Sequence, residues 1–147
     1  MRYTVEVTKD STSWYKEGTS ILHRLDGPAC EYANGAKYWY KEGKRHREDG
    51  PAVEWVDGDK EWYKEGKRHR EDGPAIENAD GTKQWYKEGK RHREDGPAIE
   101  FANGDKYWYL ENELLSEEGY LKKMNPLPTC EGKVVEIDGK KYKLSLV

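Results

Sequence analysis

The sequence predicts a mainly β fold: an elongated array of stacked antiparallel β-hairpin repeats, followed by a short C-terminal helix and a terminal β-hairpin. Three observations carry this expectation. First, the stretch Trp62 to Ala75 recurs almost letter for letter at Trp39 to Ala52 and at Trp85 to Ala98, with a looser copy at Trp14 to Ala29. Trp39, Trp62, Trp85 and Trp108 stand 23 residues apart, and so do His46, His69 and His92. Second, two turn signals recur within the units. One is Asn34-Gly35, Asp57-Gly58, Asp80-Gly81 or Asn103-Gly104, and the other is Glu42-Gly43, Glu65-Gly66 or Glu88-Gly89. Asn, Asp and Gly tolerate the positive φ that tight hairpin turns demand. Third, the runs between turns, such as Val53-Glu54-Trp55-Val56, are rich in aromatic and β-branched residues.

Composition agrees with an array. Charged residues make up 37% and hydrophobic residues 34% of the 147-residue chain, and the mean hydropathy is −1.21. Such a chain cannot build a thick core. A repeat array needs none, because each unit buries its aromatic face against its neighbours. The aromatic content and the regular turns argue against disorder.

Taken in order, residues 1–14 read as a degenerate first unit. Val5-Glu6-Val7 aligns with Cys30-Glu31-Tyr32, and Lys9-Asp10-Ser11-Thr12 replaces the later Asn-Gly turn. Two extra residues follow Gly18, which keeps strand alternation in phase and marks an end cap. Each full unit then reads as a hairpin plus an Asp-Gly-Pro corner, since Pro offers no donor to a central ladder. The alternation predicts that Trp39, Trp62, Trp85 and Trp108 stack in one row, with Tyr40, Tyr63, Tyr86 and Tyr109 on the opposite face.

The pattern breaks after Tyr109. Ser116 followed by Glu117-Glu118 predicts a helix over about 117–124. That helix is expected to lay Leu115, Tyr120 and Leu121 over the end of the array. Pro126 and Pro128 mark an extended linker. The tail from Val134 to Leu144 reads as a hairpin with an Asp138-Gly139 turn, marginal alone. It is expected to pair with the array edge or, in a homodimer, with a second chain. The organisation is therefore an array over 1–109 of about four and a half units, a helical cap and Pro linker over 110–128, and a β-hairpin over 129–147.

The net charge is −3, with 26 basic and 29 acidic residues intermixed. This is not the balance of a duplex nucleic-acid binder. No stretch has signal-peptide or membrane-span character, so a cytoplasmic location is expected. Cys30 and Cys130 make no disulfide framework, which fits a reducing compartment.

The candidate chemistry is the triplicate Arg45-His46-Arg47, Arg68-His69-Arg70 and Arg91-His92-Arg93, each followed by Glu-Asp. His with Asp suggests acid–base work, but three near-identical sites without a cleft argue against catalysis. Equivalent His residues one hairpin apart, about 10 Å, cannot share a metal ion whose ligands lie about 2 Å away. No catalytic residue, metal site or cofactor is expected. As a basic rim the three clusters could grip phosphates or an acidic protein, although the interleaved acids favour self-neutralisation. The units differ at Cys30, Val53, Ile76 and Ile99; at Tyr32, Trp55, Asn78 and Phe101; and at Tyr38, Glu61, Gln84 and Tyr107. Tyr32, Trp55 and Phe101 join the basic clusters as candidate binding residues.

The period, with Trp, Gly-Lys-Arg-His and a later Asp/Asn-Gly, resembles the MORN repeat over roughly residues 5–109. Gly43-Lys44-Arg45-His46, Gly66-Lys67-Arg68-His69 and Gly89-Lys90-Arg91-His92 carry the likeness. The departure follows His, where the family has Gly-x-Gly and this chain has Arg-Glu-Asp-Gly-Pro-Ala. Such units are similar to those of uncharacterised bacterial, phage and giant-virus proteins. The resemblance implies a hairpin array used for protein or lipid-headgroup contact, and no catalysis. The leading expectation is thus a non-enzymatic protein-binding module, such as a phage-encoded inhibitor of a host or anti-phage defence protein. The alternatives are a sequestering binder of a nucleotide or another anionic ligand, and a structural scaffold.

Overall fold

A computed structural model describes residues 2–126, 134–137 and 140–143 of the chain. Eleven strands form one antiparallel sheet whose order follows the sequence. It opens with Tyr3–Val7, Ser11–Lys16, Cys30–Tyr32 and Lys37–Tyr38. It continues through Val53–Glu54 and Lys60–Glu61, Ile76–Glu77 and Lys83–Gln84, Ile99–Glu100 and Lys106–Leu110, and ends at Glu113–Leu115. Each 23-residue unit thus adds two strands, an advance of about 10 Å.

The turn chemistry differs from the expectation in an instructive way. At the Asn/Asp-Gly turns only the glycine takes positive φ, 94° at Gly35 and 100° at Gly58. The preceding Asn or Asp spends its side chain instead. Asn34 Oδ1 accepts from the Ala36 N–H at 3.0 Å, and Asp80 Oδ1 accepts from Thr82 at 2.7 Å. These are three-residue loops closed by a glycine bulge, Tyr32 N–H donating to Ala36 C=O. The two-residue turn with positive φ at both positions lies at Glu-Gly, with φ of 51° at Glu65 and 82° at Gly66.

These Glu-Gly turns close a second row of small hairpins, Tyr40–Lys41 with Lys44–Arg45, Tyr63–Lys64 with Lys67–Arg68, and Tyr86–Lys87 with Lys90–Arg91. Neighbours in this row are joined by backbone bonds. Gly66 N–H donates to Arg45 C=O at 2.9 Å, and Arg47 N–H donates to Tyr63 C=O at 3.3 Å. The row faces the main sheet, since the Arg45 guanidinium lies 5.8 Å from the centre of the Tyr38 ring. Between them runs a thin core. Ala52, Val53 and Tyr63 pack with Tyr38, Trp39 and Trp55; one unit on, Ala75, Ile76 and Tyr86 pack with Trp62. The alanines after Pro are fully buried in all four copies: Ala29, Ala52, Ala75 and Ala98.

The tryptophans do not stack on one another. Among the described residues no Trp ring lies against a second Trp. Three of the four predicted to stack are instead covered by the guanidinium of their own unit, Arg47 over Trp39 at 4.1 Å, Arg70 over Trp62 at 4.0 Å and Arg93 over Trp85 at 3.9 Å. Neighbouring Trp positions are two strand spacings apart, beyond ring-to-ring contact.

The two ends differ. The helix Glu117–Met124 is capped by Ser116, whose Oγ accepts from the Gly119 N–H. Tyr120, only 3% exposed, accepts from the Gly96 N–H and anchors the helix to the last corner. Leu121 is half exposed and does not join that cover. At the other end the degenerate first unit does not close the sheet, because among the described residues Tyr3–Val7 pairs on one side alone. The tail strands Val134–Ile137 and Lys140–Lys143 pair with each other as a sheet of their own. Their pairing to the array edge within the chain is not seen among the described residues, and the expected Asp138-Gly139 turn lies outside them. Among the described residues no helix is long and apolar enough to cross a membrane.

Candidate functional site

Register sorts the side chains of the main sheet onto two faces. One face carries a cross-strand row of alternating charge: Glu31, Lys37, Glu54, Lys60, Glu77, Lys83, Glu100 and Lys106. Opposite charges directly across an antiparallel pair stabilise it modestly. The second Arg of each cluster serves the same face. Arg47 Nε donates to Asp49 Oδ1 at 2.9 Å, and its Nη1 donates to Pro51 C=O at 3.1 Å and to Glu54 Oε1 at 3.0 Å. Arg70 and Arg93 repeat the set with Asp72, Pro74 and Glu77, and with Asp95, Pro97 and Glu100. In the looser first copy Arg24 does the same with Asp26 and Pro28, over Trp14 at 4.1 Å.

This clamp explains the Arg-x-Asp-Gly-Pro corner that departs from the MORN pattern. A Cβ on Gly73 would meet Arg70 Cζ at 3.0 Å, so glycine lets the guanidinium lie flat between corner and ring. The hydrogen bond from Arg47 holds the Asp49 carboxyl below the usual aspartate range, and Arg70 and Arg93 do so for Asp72 and Asp95.

The histidines tie one unit to the next. His46 Nδ1 accepts from the Glu65 N–H at 3.2 Å, His69 from Glu88 at 3.1 Å and His92 from Glu111 at 3.2 Å. Each donor is the positive-φ Glu that opens the following turn, Glu-Gly at Glu65 and Glu88 and Glu-Asn at Glu111. The Glu65 carboxylate also stands 2.9 Å from His46 Nδ1, so that nitrogen faces a donor and an acceptor, and its proton decides which it satisfies. His23 holds the same place in the first copy, accepting from Glu42 at 3.0 Å.

The first Arg of each cluster turns to the opposite side. Arg45 donates to Tyr63 Oη at 3.1 Å, Arg68 donates to both oxygens of the buried Glu61, and Arg91 donates to Tyr86 Oη at 3.3 Å. Burial, with Glu61 as the next cause, pushes the Tyr63 hydroxyl pKa upward. The nine candidate basic residues therefore do not form one basic rim. Their heads point to two sides and are spent on internal partners. What stands out at the corners is acidic instead: Glu48, Asp49, Glu71, Asp72, Glu94 and Asp95 are exposed. Shallow grooves of about 890 and 820 Å3 separate successive corners, with Trp62 and Trp85 on their walls.

The second face holds the row Cys30, Tyr38, Val53, Glu61, Ile76, Gln84, Ile99 and Tyr107. Two residues further along lie Tyr32, Trp55, Asn78 and Phe101. These columns are the ones that vary between units. Tyr38 joins Tyr32 and Trp55 edge-on, at 5.4 and 6.2 Å, and Phe101 meets Tyr107 at 5.8 Å. Tyr32, Phe101 and Tyr107 remain 40–45% exposed, as does Val56 to a greater degree. The candidates Tyr32, Trp55 and Phe101 thus fall on one face. Tyr38 and Tyr107 complete their clusters; the sequence marked them as variable without placing them beside the candidates.

Among the described residues no group of three or more His, Cys, Asp and Glu side chains is placed to hold a metal ion. No protein-family model matches the chain, and no curated protein matches it.

Proposed function

We propose that this chain is a non-enzymatic protein-binding module of MORN-like repeats, and that it reads its partner with the variable aromatic face. The observation that carries this reading is the contrast in exposure and engagement. The basic side chains are consumed within and between units, whereas Tyr32, Tyr38, Trp55, Phe101 and Tyr107 lie partly open on a rigid sheet. Exposed aromatic clusters on fixed backbone are the usual anchors of protein interfaces. They are also the positions where near-identical units differ, which gives a partner one register to recognise. The form favoured by the resemblance of the units is an inhibitor that occupies a bacterial host or defence protein. The anionic-ligand reading is weaker, because the Arg heads have internal partners and the corners display carboxylates.

The test compares capture by the wild-type chain with capture by Trp55→Ser and Phe101→Ser. A protein retained by the wild type and lost from both variants, each still folded by circular dichroism, is the expected outcome. A thermal-shift measurement with ATP and with inositol hexakisphosphate runs beside it. Stabilisation by either anion, together with capture insensitive to Trp55→Ser, would overturn the reading.

A further inference from the structure

We propose that the N-terminal edge strand Tyr3–Val7 is a self-complementary interface that joins two copies of this chain into one continuous antiparallel sheet. Among the described residues the strand pairs only with Ser11–Lys16. Which of its backbone groups face outward follows from the next strand. Trp14, opposite Val5, donates its N–H to Ala29 C=O and accepts from the His23 N–H. Lys16, opposite Tyr3, donates to Ile21. Both groups of Trp14 turn away from Val5, so Val5 belongs to a non-hydrogen-bonded pair. Tyr3, Val5 and Val7 therefore present their N–H and C=O groups to the outer edge. There they meet no partner among the described residues.

The side chains suit a two-fold axis through Val5. Two such strands, antiparallel and centred there, set Tyr3 opposite Val7, Val5 opposite Val5, and Thr4 opposite Glu6. Every outward residue then faces an outward residue, and about six backbone bonds form. Val5 and Val7, 49% and 72% exposed, gain apolar neighbours. Glu6 meets Thr4 and never its own charge. Sliding the register by one residue per strand toward the turn opposes Glu6 to Glu6, which is unfavourable. Sliding it the other way leaves Val7 beyond the partner strand. Natural edges are guarded by Lys, Pro, bulges or a covering element. The last corner has its helix, whereas Tyr3–Val7 carries none of these guards among the described residues.

Light scattering and sedimentation of the full-length chain over a micromolar concentration range test this. A concentration-dependent dimer is expected. Val5→Pro removes a donor that the monomer does not use and should give a monomer with unchanged circular dichroism. Thr4→Glu sets like charges across the axis twice and should weaken association about tenfold. Adding Glu6→Lys to Thr4→Glu should restore it, because each new acid then faces a base on the second copy. A full-length chain that stays monomeric throughout overturns the proposal. So does a dimer that survives Val5→Pro or ignores the charge exchange, which points to pairing through the C-terminal hairpin instead.

Discussion

The two faces of the main sheet are built from the same strands and do different work. The charged face is nearly invariant from unit to unit. Its Glu–Lys row, Arg clamps and capped Trp rings recur with closely similar geometry in the three corners of Arg47, Arg70 and Arg93. The second face changes at each step, from Tyr38 to Glu61 to Gln84 to Tyr107. The difference teaches that abundance of charge is no sign of a ligand site here. The basic residues replace the missing aliphatic core: their planar heads cover aromatic rings and their donors hold the loops.

Four measurements break or sharpen this contrast. The largest effect is expected from Trp62→Ala in the central unit. It removes the ring under Arg70 that packs against the cluster of Ala75, Ile76 and Tyr86, and should cost about 3–5 kcal/mol in chemical denaturation. An unchanged midpoint would mean that the ring is not the centre of the corner. Ala75→Val adds two methyl groups where the side chain is fully buried, and overpacking should cost about 1–3 kcal/mol. The same change at exposed Ala79 should be almost silent.

Gly73→Ala is a finer probe of the clamp. Its Cβ forces Arg70 off Trp62, and the loss should be about 0.5–2 kcal/mol, the range of a stacked cation. Arg70→Ala should abolish most of the added penalty, since the clash then has no partner. Phe101→Ser on the variable face should cost less than about 1 kcal/mol of stability while abolishing partner capture. A large stability loss there would erase the division between the faces.

The clamp also sets an acid limit. Asp49, Asp72 and Asp95 have folded pKa values below their unfolded ones, first through the hydrogen bond from Arg47, Arg70 or Arg93. Their contribution is complete above the ordinary aspartate value of about 3.9 and disappears as pH falls through the lower folded value. Stability followed by denaturant midpoint should therefore drop in that acid window. Asp72→Asn should flatten part of the drop.

Much of this was legible in the chain. The 23-residue period fixed the array, because identical segments in register must adopt equivalent backbones. Ser116 with Glu117-Glu118 located the helix, since capping is local chemistry. Turn identity was less legible. Asn34-Gly35 and Glu42-Gly43 look alike as dipeptides, yet the positive φ falls on both residues only at the second. The Glu there is held by a His 19 residues earlier, whose bond to the Glu N–H no local rule foresees. The direction of the Arg heads was likewise hidden. Arg45 and Arg47 are two apart in sequence but serve opposite sides, because between them the chain passes from the small hairpin into the corner. Local sequence set where the chain turns and how often. The tertiary structure alone decided which charges meet, since those partners come together only when neighbouring units stack and the two rows of hairpins close on their thin core.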